Sequence, residues 1–371
     1  MLLFTPGPTP VPESIRNAMG EPTLHHRTPE FEAIFAKARA GLLELLQMPE
    51  VLMLASSGSG AMEACVCTFA QSKMLSINSG KFGERFGKIA KAHKIPHKEI
   101  VNDWDTPASV ESVLEALKNE GDVDCFCIQM CESAGGLRHN VEEIAKAIKA
   151  YNPRIVVVVD AITAMGVEEI DVSHIDALIG GSQKAFMLPP GLSIIGLSQY
   201  AIELANARDV GFYFNLKTEL KNQAQNTTAW TAPTTIITGL AKYFEIVNGN
   251  FREVYAKTRA RSLATHKALE SLGLKIYPKN PALAMNTIYD EANAAQLRKI
   301  LKNDFKLNVA GGQDKLKTSI IRINQMGLIP LEQSVWVVNA IELALNTLKL
   351  RTFNGEANKV FLQSYYALLP Q

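Results

Sequence analysis

The chain has 371 residues, 47% of them hydrophobic, with 38 basic against 37 acidic side chains and a formal net charge of +1. That length exceeds what one hydrophobic core usually serves, so two domains are expected. Without a strongly basic stretch a nucleic-acid partner is not expected, because phosphate binding needs clustered Lys and Arg, and no apolar run approaches a membrane span. The opening Met1-Leu2-Leu3-Phe4 turns at once into Thr5-Pro6-Gly7-Pro8. This is too short and too proline-rich for a secretory signal, so a cytosolic location is expected. Cys65, Cys67, Cys125, Cys127 and Cys131 are the five cysteines. Cys125 and Cys127 lie in an apolar run and read as small buried hydrophobes in a reducing compartment, not as metal ligands.

In chain order, short apolar runs alternate with amphipathic stretches. Thr28 with Pro29 reads as a helix cap and first turn. Val51–Leu54 reads as a strand, Gly60–Phe69 as a helix, Met74–Ile77 as a strand and Phe82–Ala92 as a helix. Further strands are predicted at Ile95–Val101, Cys125–Ile128, Ile155–Val159, Ala177–Ile179 and Ser193–Leu197, with helices at Ser109–Lys118 and Val141–Ala150. This alternation implies an α/β domain with a mostly parallel sheet. The run Ile155-Val156-Val157-Val158-Val159 is all β-branched, as in a strand buried on both faces. Beyond residue 233 the periods lengthen. Helices are predicted at Pro233–Val247, Phe251–Leu272 and Leu331–Leu348, with short strands at Leu274–Tyr277, Ala284–Tyr289 and Thr318–Ile323. The expected division is an N-terminal arm (1–15), a large domain (16–248) and a smaller α+β domain (249–371). The tail after Arg351 carries Tyr365-Tyr366 and Leu368-Leu369, which suits docking on the body.

Three places could carry chemistry. Ser56-Ser57-Gly58-Ser59-Gly60 joins a strand to a helix start, where free N–H groups and the helix dipole favour an anion. No Gly-Lys-Ser/Thr follows, so it does not fit a P-loop. Asp160 stands at the carboxyl end of the clearest strand, where open α/β sheets bind ligands. There it would need a cationic partner or lose its charge, unless it simply caps the next segment. Lys184 follows an apolar strand and Gly180-Gly181-Ser182-Gln183, and precedes the rigid turn Pro189-Pro190-Gly191. A lone Lys is usually solvated, but one in a dry pocket can lose its proton and act as a nucleophile.

The run Gly181-Ser182-Gln183-Lys184 with Pro189-Pro190-Gly191 resembles the lysine signature of the class V aminotransferases. The likeness runs from Pro6-Gly7-Pro8 to Arg322 and includes Ser57-Gly58-Ser59-Gly60-Ala61-Met62-Glu63-Ala64. Within that group the chain most resembles the alanine–glyoxylate and serine–glyoxylate (serine–pyruvate) enzymes. The resemblance implies pyridoxal-phosphate fold type I, like aspartate aminotransferase, and a homodimer with active sites at the subunit interface. It implies that Lys184 holds pyridoxal 5'-phosphate as a Schiff base and that Asp160 pairs with the ring nitrogen. Ser57, Gly58, Ser59 and Gln183 would lie at the phosphate, with Thr231 reaching a phosphate in the partner subunit. Phe82 would stack on the ring where many relatives have Trp. Ser133 would touch the ring, beside Ala134 where Thr or Ser is commoner. Thr228 stands where some relatives place a phosphate-binding Tyr. Arg322 would grip the substrate carboxylate, although its apolar strand neighbours alone also suit an exposed face residue. Gly7 would line the substrate mouth, and His25-His26-Arg27-Thr28-Pro29-Glu30-Phe31 resembles a segment near the entrance.

The reaction implied is transfer of an amino group from alanine or serine to glyoxylate or pyruvate. Specificity for aspartate or an aminoalkylphosphonate, or a non-catalytic cofactor-binding subunit, are the alternatives. The intact set Asp160, Lys184 and Arg322 argues against the last. Cysteine desulfurases of the same fold need a Cys late in the chain, and none follows Cys131.

Overall fold

The computed structural model describes residues 1–369. Seven strands form the central sheet, in the order Glu50–Leu54, Ser193–Leu197, Ala177–Gly181, Val156–Asp160, Cys125–Gln129, Met74–Asn78, His97–Val101. Ser193–Leu197 runs antiparallel to both neighbours, and every other pairing is parallel. All five residues of Val156–Asp160 are buried. Val157 and Val159 enter one core cluster, with Phe31, Phe35, Ile144 and Leu240. Val156 and Val158 enter the other, with Ala61, Met62 and Phe69. The β-branched run is buried on both faces because helices cover both faces. The fold is thus α/β, a mostly parallel central sheet flanked by helices.

The predicted sheet strands all form, with shifted ends. Strand pairing starts at His97 instead of Ile95, and the helix predicted from Gly60 already begins at Gly58. The helix Pro29–Leu46 is capped by Thr28, whose Oγ1 accepts from the Phe31 N–H at 3.4 Å. Because the parallel strands point the same way, the loops after Leu54, Asn78, Gln129, Asp160 and Gly181 leave one edge of the sheet. That edge is where an open α/β sheet presents its ligand-binding crevice.

The C-terminal third builds an antiparallel sheet from Lys275–Ile276, Met285–Tyr289 and Ile320–Asn324. The helices Phe251–Ser271, Ala294–Asn303 and Leu331–Thr347 pack with it around their own core. Leu2–Phe4 pairs in parallel with Leu307–Val309, so the start of the chain joins this unit as a strand. The tail forms a helix, Glu356–Leu368, whose Phe361 and Tyr365 enter the same core. Buried Glu342 accepts from Ala357 N at 3.1 Å and Asn354 N at 3.2 Å, placing a carboxylate at this helix's N-terminus. Among the described residues, no helix is long and apolar enough to cross a membrane. Cys65, Cys125, Cys127 and Cys131 are buried, Cys67 is partly so, and all five are free.

Candidate active site

Lys184 follows the strand Ala177–Gly181 and is held by its backbone. Thr9 Oγ1 donates to its carbonyl at 2.7 Å, and Met187 N–H donates to the same oxygen at 3.0 Å. The Ser182 hydroxyl donates to Pro189 O at 2.7 Å and accepts from Leu192 N at 3.3 Å, closing the proline turn under the lysine. The Lys184 ammonium is partly buried and donates to Pro6 O at 2.5 Å. Gly7 has φ +102°, and a Cβ there would lie 2.6 Å from Lys184 Nζ. Only glycine lets this backbone come so close in that conformation. Burial pushes the Lys184 amine down to about 8, with a further push from Arg322 and opposing pulls from Cys131 and Asp160.

Asp160 ends its strand with 6% of its surface exposed. Burial raises its carboxyl to about 6; the Ile162 N–H, Arg85 and Lys184 oppose that rise. Its Oδ1 accepts from Ile162 N at 3.0 Å. Asp160 therefore does cap the next turn, but the single N–H leaves acceptor capacity for a cationic partner.

The helix Gly58–Phe69 starts at the same sheet edge with Ser57 as N-cap, and the Ser57 side chain makes no capping bond. Arg85, from the neighbouring helix Gly83–Ala92, donates from Nη1 to Ser59 Oγ at 2.9 Å. Its guanidinium also lies 4.9 Å from the Phe82 ring centroid. A guanidinium beside free helix N–H groups makes a stronger anion cradle than the Gly/Ser turn alone. Gln183 has its side-chain oxygen buried without a partner.

Glu132 is fully buried and ties two loops of the site together. Oε2 accepts from Phe82 N and Gly83 N, and Oε1 from Ala134 N, each at 2.9 Å. Burial raises this carboxyl to about 7 against those three bonds. Arg322, 8% exposed on Ile320–Asn324, donates from Nη1 to Ser133 O and from Nε to Gly311 O at 2.8 Å. The exposed-face reading of Arg322 is therefore wrong: Ile321 and Ile323 fill the core of the C-terminal unit, and the arginine turns to the large sheet's loops.

Lys184, Asp160, Gly7, Ser59, Phe82, Ser133 and Arg322 thus gather at one edge, with Ser57, Gly58 and Gln183 beside them. Thr231 is exposed next to Trp230 and joins none of these hydrogen bonds. Thr228 is buried and donates to Trp230 O at 2.5 Å. Sequence reasoning missed Arg85 and Glu132. Arg85 sits two residues past Gly83 at a helix start, the one local signal it gives; Glu132 gives none beyond adjoining Ser133.

These features can be held against a pyridoxal-phosphate group. A buried carboxylate with spare acceptor capacity suits a protonated ring nitrogen, a helix N-terminus with Arg85 suits a phosphate, and a partly buried amine suits an imine carbon. The residues present fit that group.

Residues 2–329 match the family model described as "Aminotransferase class-V". An uncharacterized aminotransferase of Helicobacter pylori (strain ATCC 700392 / 26695) is 55% identical over 99% of this chain and 100% of its own. A serine–glyoxylate aminotransferase of Hyphomicrobium methylovorum is 25% identical over 97% of this chain and 94% of its own. Among solved structures, an aspartate aminotransferase of subgroup IV from Thermus thermophilus superposes with TM-score 0.87 at 28% identity, covering 94% of this chain and 99% of its own. A mostly parallel sheet with a buried aspartate and a partly buried lysine at its carboxyl edge suits a cofactor-dependent enzyme. The chain belongs to the class-V aminotransferases, a family whose members imply pyridoxal phosphate and move amino groups between amino acids and 2-oxo acids.

Proposed function

We propose that this enzyme transfers the amino group of a small amino acid, alanine or serine, to glyoxylate or pyruvate by a ping-pong mechanism. The observation carrying the reading is the Lys184 amine, enclosed by Pro6 and Gly7, at the same carboxyl edge of the sheet where Asp160 is buried at its strand end. Ser57, Gly58, Ser59, Gln183 and Arg85 would hold the phosphate of pyridoxal 5'-phosphate, Phe82 and Ser133 its ring, and Asp160 its ring nitrogen. Once bound, the cofactor supplies an electron sink for the Cα carbanion of the substrate.

The protein's own part is positioning and proton transfer. Arg322 grips the substrate carboxylate with two parallel N–H donors, which fixes where Cα points. Lys184, with an amine near neutrality, takes the Cα proton and returns it as general base and acid. Gly7 and Pro6 close over Lys184 Nζ and hold it where that proton passes. The Asp160 carboxylate stabilises positive charge facing it.

Thr231, exposed in the single chain, would reach the phosphate across the interface of a homodimer. The arm, large domain and small domain at 1–15, 16–248 and 249–371 remain the proposed division, and a cytosolic location the proposed setting.

A second reading, an aspartate donor, rests on Arg298. Its guanidinium lies against Gly311, where a Cβ would come within 1.4 Å of Nη1, and Gly311 O accepts from Arg322 Nε at 2.8 Å. Among the described residues Arg298 bonds only carbonyls, Lys317 O at 3.2 Å and Ala294 O at 3.4 Å. A second cation near the clamp would suit a side-chain carboxylate. Half-reactions of the loaded enzyme with alanine, serine, aspartate and glutamate separate the two readings. Conversion fastest with alanine or serine supports the first; conversion fastest with aspartate, lost in Arg298→Ala, supports the second. Intersecting double-reciprocal lines for every substrate pair would remove the ping-pong mechanism.

A further inference from the structure

The helix Phe251–Ser271 meets the turn Gly327–Pro330 beside the junction Val247–Asn250, and a cavity of about 340 Å³ lies between them. Arg261 lines it with only 4% of its surface exposed. Its Nη2 donates to Gln325 O at 2.5 Å, Gly327 O at 3.1 Å and Thr258 Oγ1 at 3.3 Å. Its Nε is buried with no acceptor. Among the described residues no carboxylate pairs with it, and burial pushes the guanidinium down to about 10. An ionised group removed from water without a counter-ion is costly, and three neutral acceptors on one nitrogen offset only part of that cost.

Lys257, one turn earlier on the same helix, also lines the cavity, but it is paired with Glu253 at 2.6 Å. The rim therefore offers no net charge. The walls include Val247, Val254, Leu328 and Ile329.

We propose that this cavity is a binding site for a small organic monocarboxylate, its carboxylate on Arg261 and its aliphatic body against Val247, Val254, Leu328 and Ile329. One uncompensated cation matches one negative charge. A polyphosphate would bring charges that Lys257, already neutralised by Glu253, does not meet. The apolar walls match a short alkyl chain and would stay poorly covered by a bare inorganic anion.

The site also touches both halves of the catalytic machinery. The Gln325–Gly327 turn that Arg261 holds follows directly on the strand carrying Arg322. Leu328 N lies 3.1 Å from Met187 Sδ, and Met187 N–H donates to the Lys184 carbonyl at 3.0 Å. An occupant thus bears on a turn against which the Arg322 strand and the Lys184 loop both rest.

The test titrates the cofactor-loaded enzyme with butyrate at constant ionic strength and reads the heat of binding. Val254→Trp, which fills the cavity, and Arg261→Lys are run beside the wild type, and near-visible absorbance reports that each is folded and loaded. Uptake at Arg322 is measured for each protein separately, as competition of butyrate with substrate in turnover assays, and subtracted. The wild type should take up one butyrate per chain that Val254→Trp does not, and Arg261→Lys should weaken that event at least tenfold. If Arg261→Lys fails to fold, Val254→Trp decides alone. Three results would overturn the proposal: full uptake by Val254→Trp, no wild-type uptake beyond a chloride-matched blank, or inorganic phosphate binding as tightly as butyrate.

Discussion

Glu132 holds the backbone of Phe82 through a 2.9 Å hydrogen bond across 50 residues of chain. The same carboxylate binds Gly83 N and Ala134 N, so the Phe82 turn and the Ser133 loop share one buried anchor. A Cβ at Gly80 would lie 2.6 Å from Glu132 Cδ, so the turn can approach only because residue 80 is glycine. Phe82 and Ser133 are thus fixed relative to each other before any ligand arrives.

Replacing Glu132 with Gln tests that anchor. The amide keeps the shape but presents a donor where three N–H groups also donate, so at least one N–H loses its acceptor. Leaving a buried donor unpaired costs about 1–3 kcal/mol. The denaturation midpoint should fall accordingly, and the cofactor should dissociate roughly tenfold more readily for each ~1.4 kcal/mol that reaches the binding step. An unchanged midpoint together with unchanged cofactor affinity, measured by absorbance titration, would remove Glu132 from this role.

Lys184→Ala should abolish the near-visible band of the cofactor's Schiff base with lysine and lower turnover by at least about 10²–10⁴-fold, the usual contribution of a positioned acid–base group. The lesion should be chemical and leave the fold intact, since the lysine's backbone contacts to Thr9 and Met187 do not need its side chain. Far-UV circular dichroism checks the fold, and single-turnover rates check the chemistry. Turnover at the wild-type rate would end the assignment.

Arg322→Lys should raise KM for carboxylate substrates about 10- to 100-fold, since a charge-assisted hydrogen bond is worth about 1.5–3 kcal/mol. Cofactor binding should persist, because the Glu132 carboxylate still anchors the Ser133 loop through Ala134 N and the Phe82 turn through Phe82 N. A KM equal to the wild type's would show that the substrate carboxylate is held elsewhere.

The central sheet was legible because its strands are short β-branched or apolar runs bounded by Gly, Ser and Asp, and their type does not depend on distant partners. The positions of Asp160 and Lys184 were legible for the same reason, since one ends a buried strand and the other follows a buried strand by three residues. The strand Leu2–Phe4 was not, because three residues carry no period and its partner Leu307–Val309 lies some 300 residues away. The tail helix was also obscure, since its N-terminus is served by Glu342 from another helix and not by a local cap. Arg85 and Glu132 escaped notice because isolated Arg and Glu are usually solvated, and their burial depends on loops that only the folded sheet edge brings together.

Asp160→Asn gives a test by pH. The carboxyl rises from an ordinary value near 3.8 to about 6 in the folded chain, mainly through burial. Between those values the folded state binds more protons than the unfolded one, so this group's contribution to stability falls as pH rises through that window. Below it both states are protonated and no penalty exists. Above it the penalty is complete, at about 3 kcal/mol. Asn carries no charge at any pH. In the cofactor-free protein the variant should therefore match the wild type near pH 4 and gain stability up to pH 7, as urea midpoints at each pH will show. Loading the cofactor should erase that gain, because the wild-type carboxylate then faces a cation and the amide does not. A difference between the two proteins that stays constant from pH 4 to 7 would show that Asp160 is not held in the buried state described.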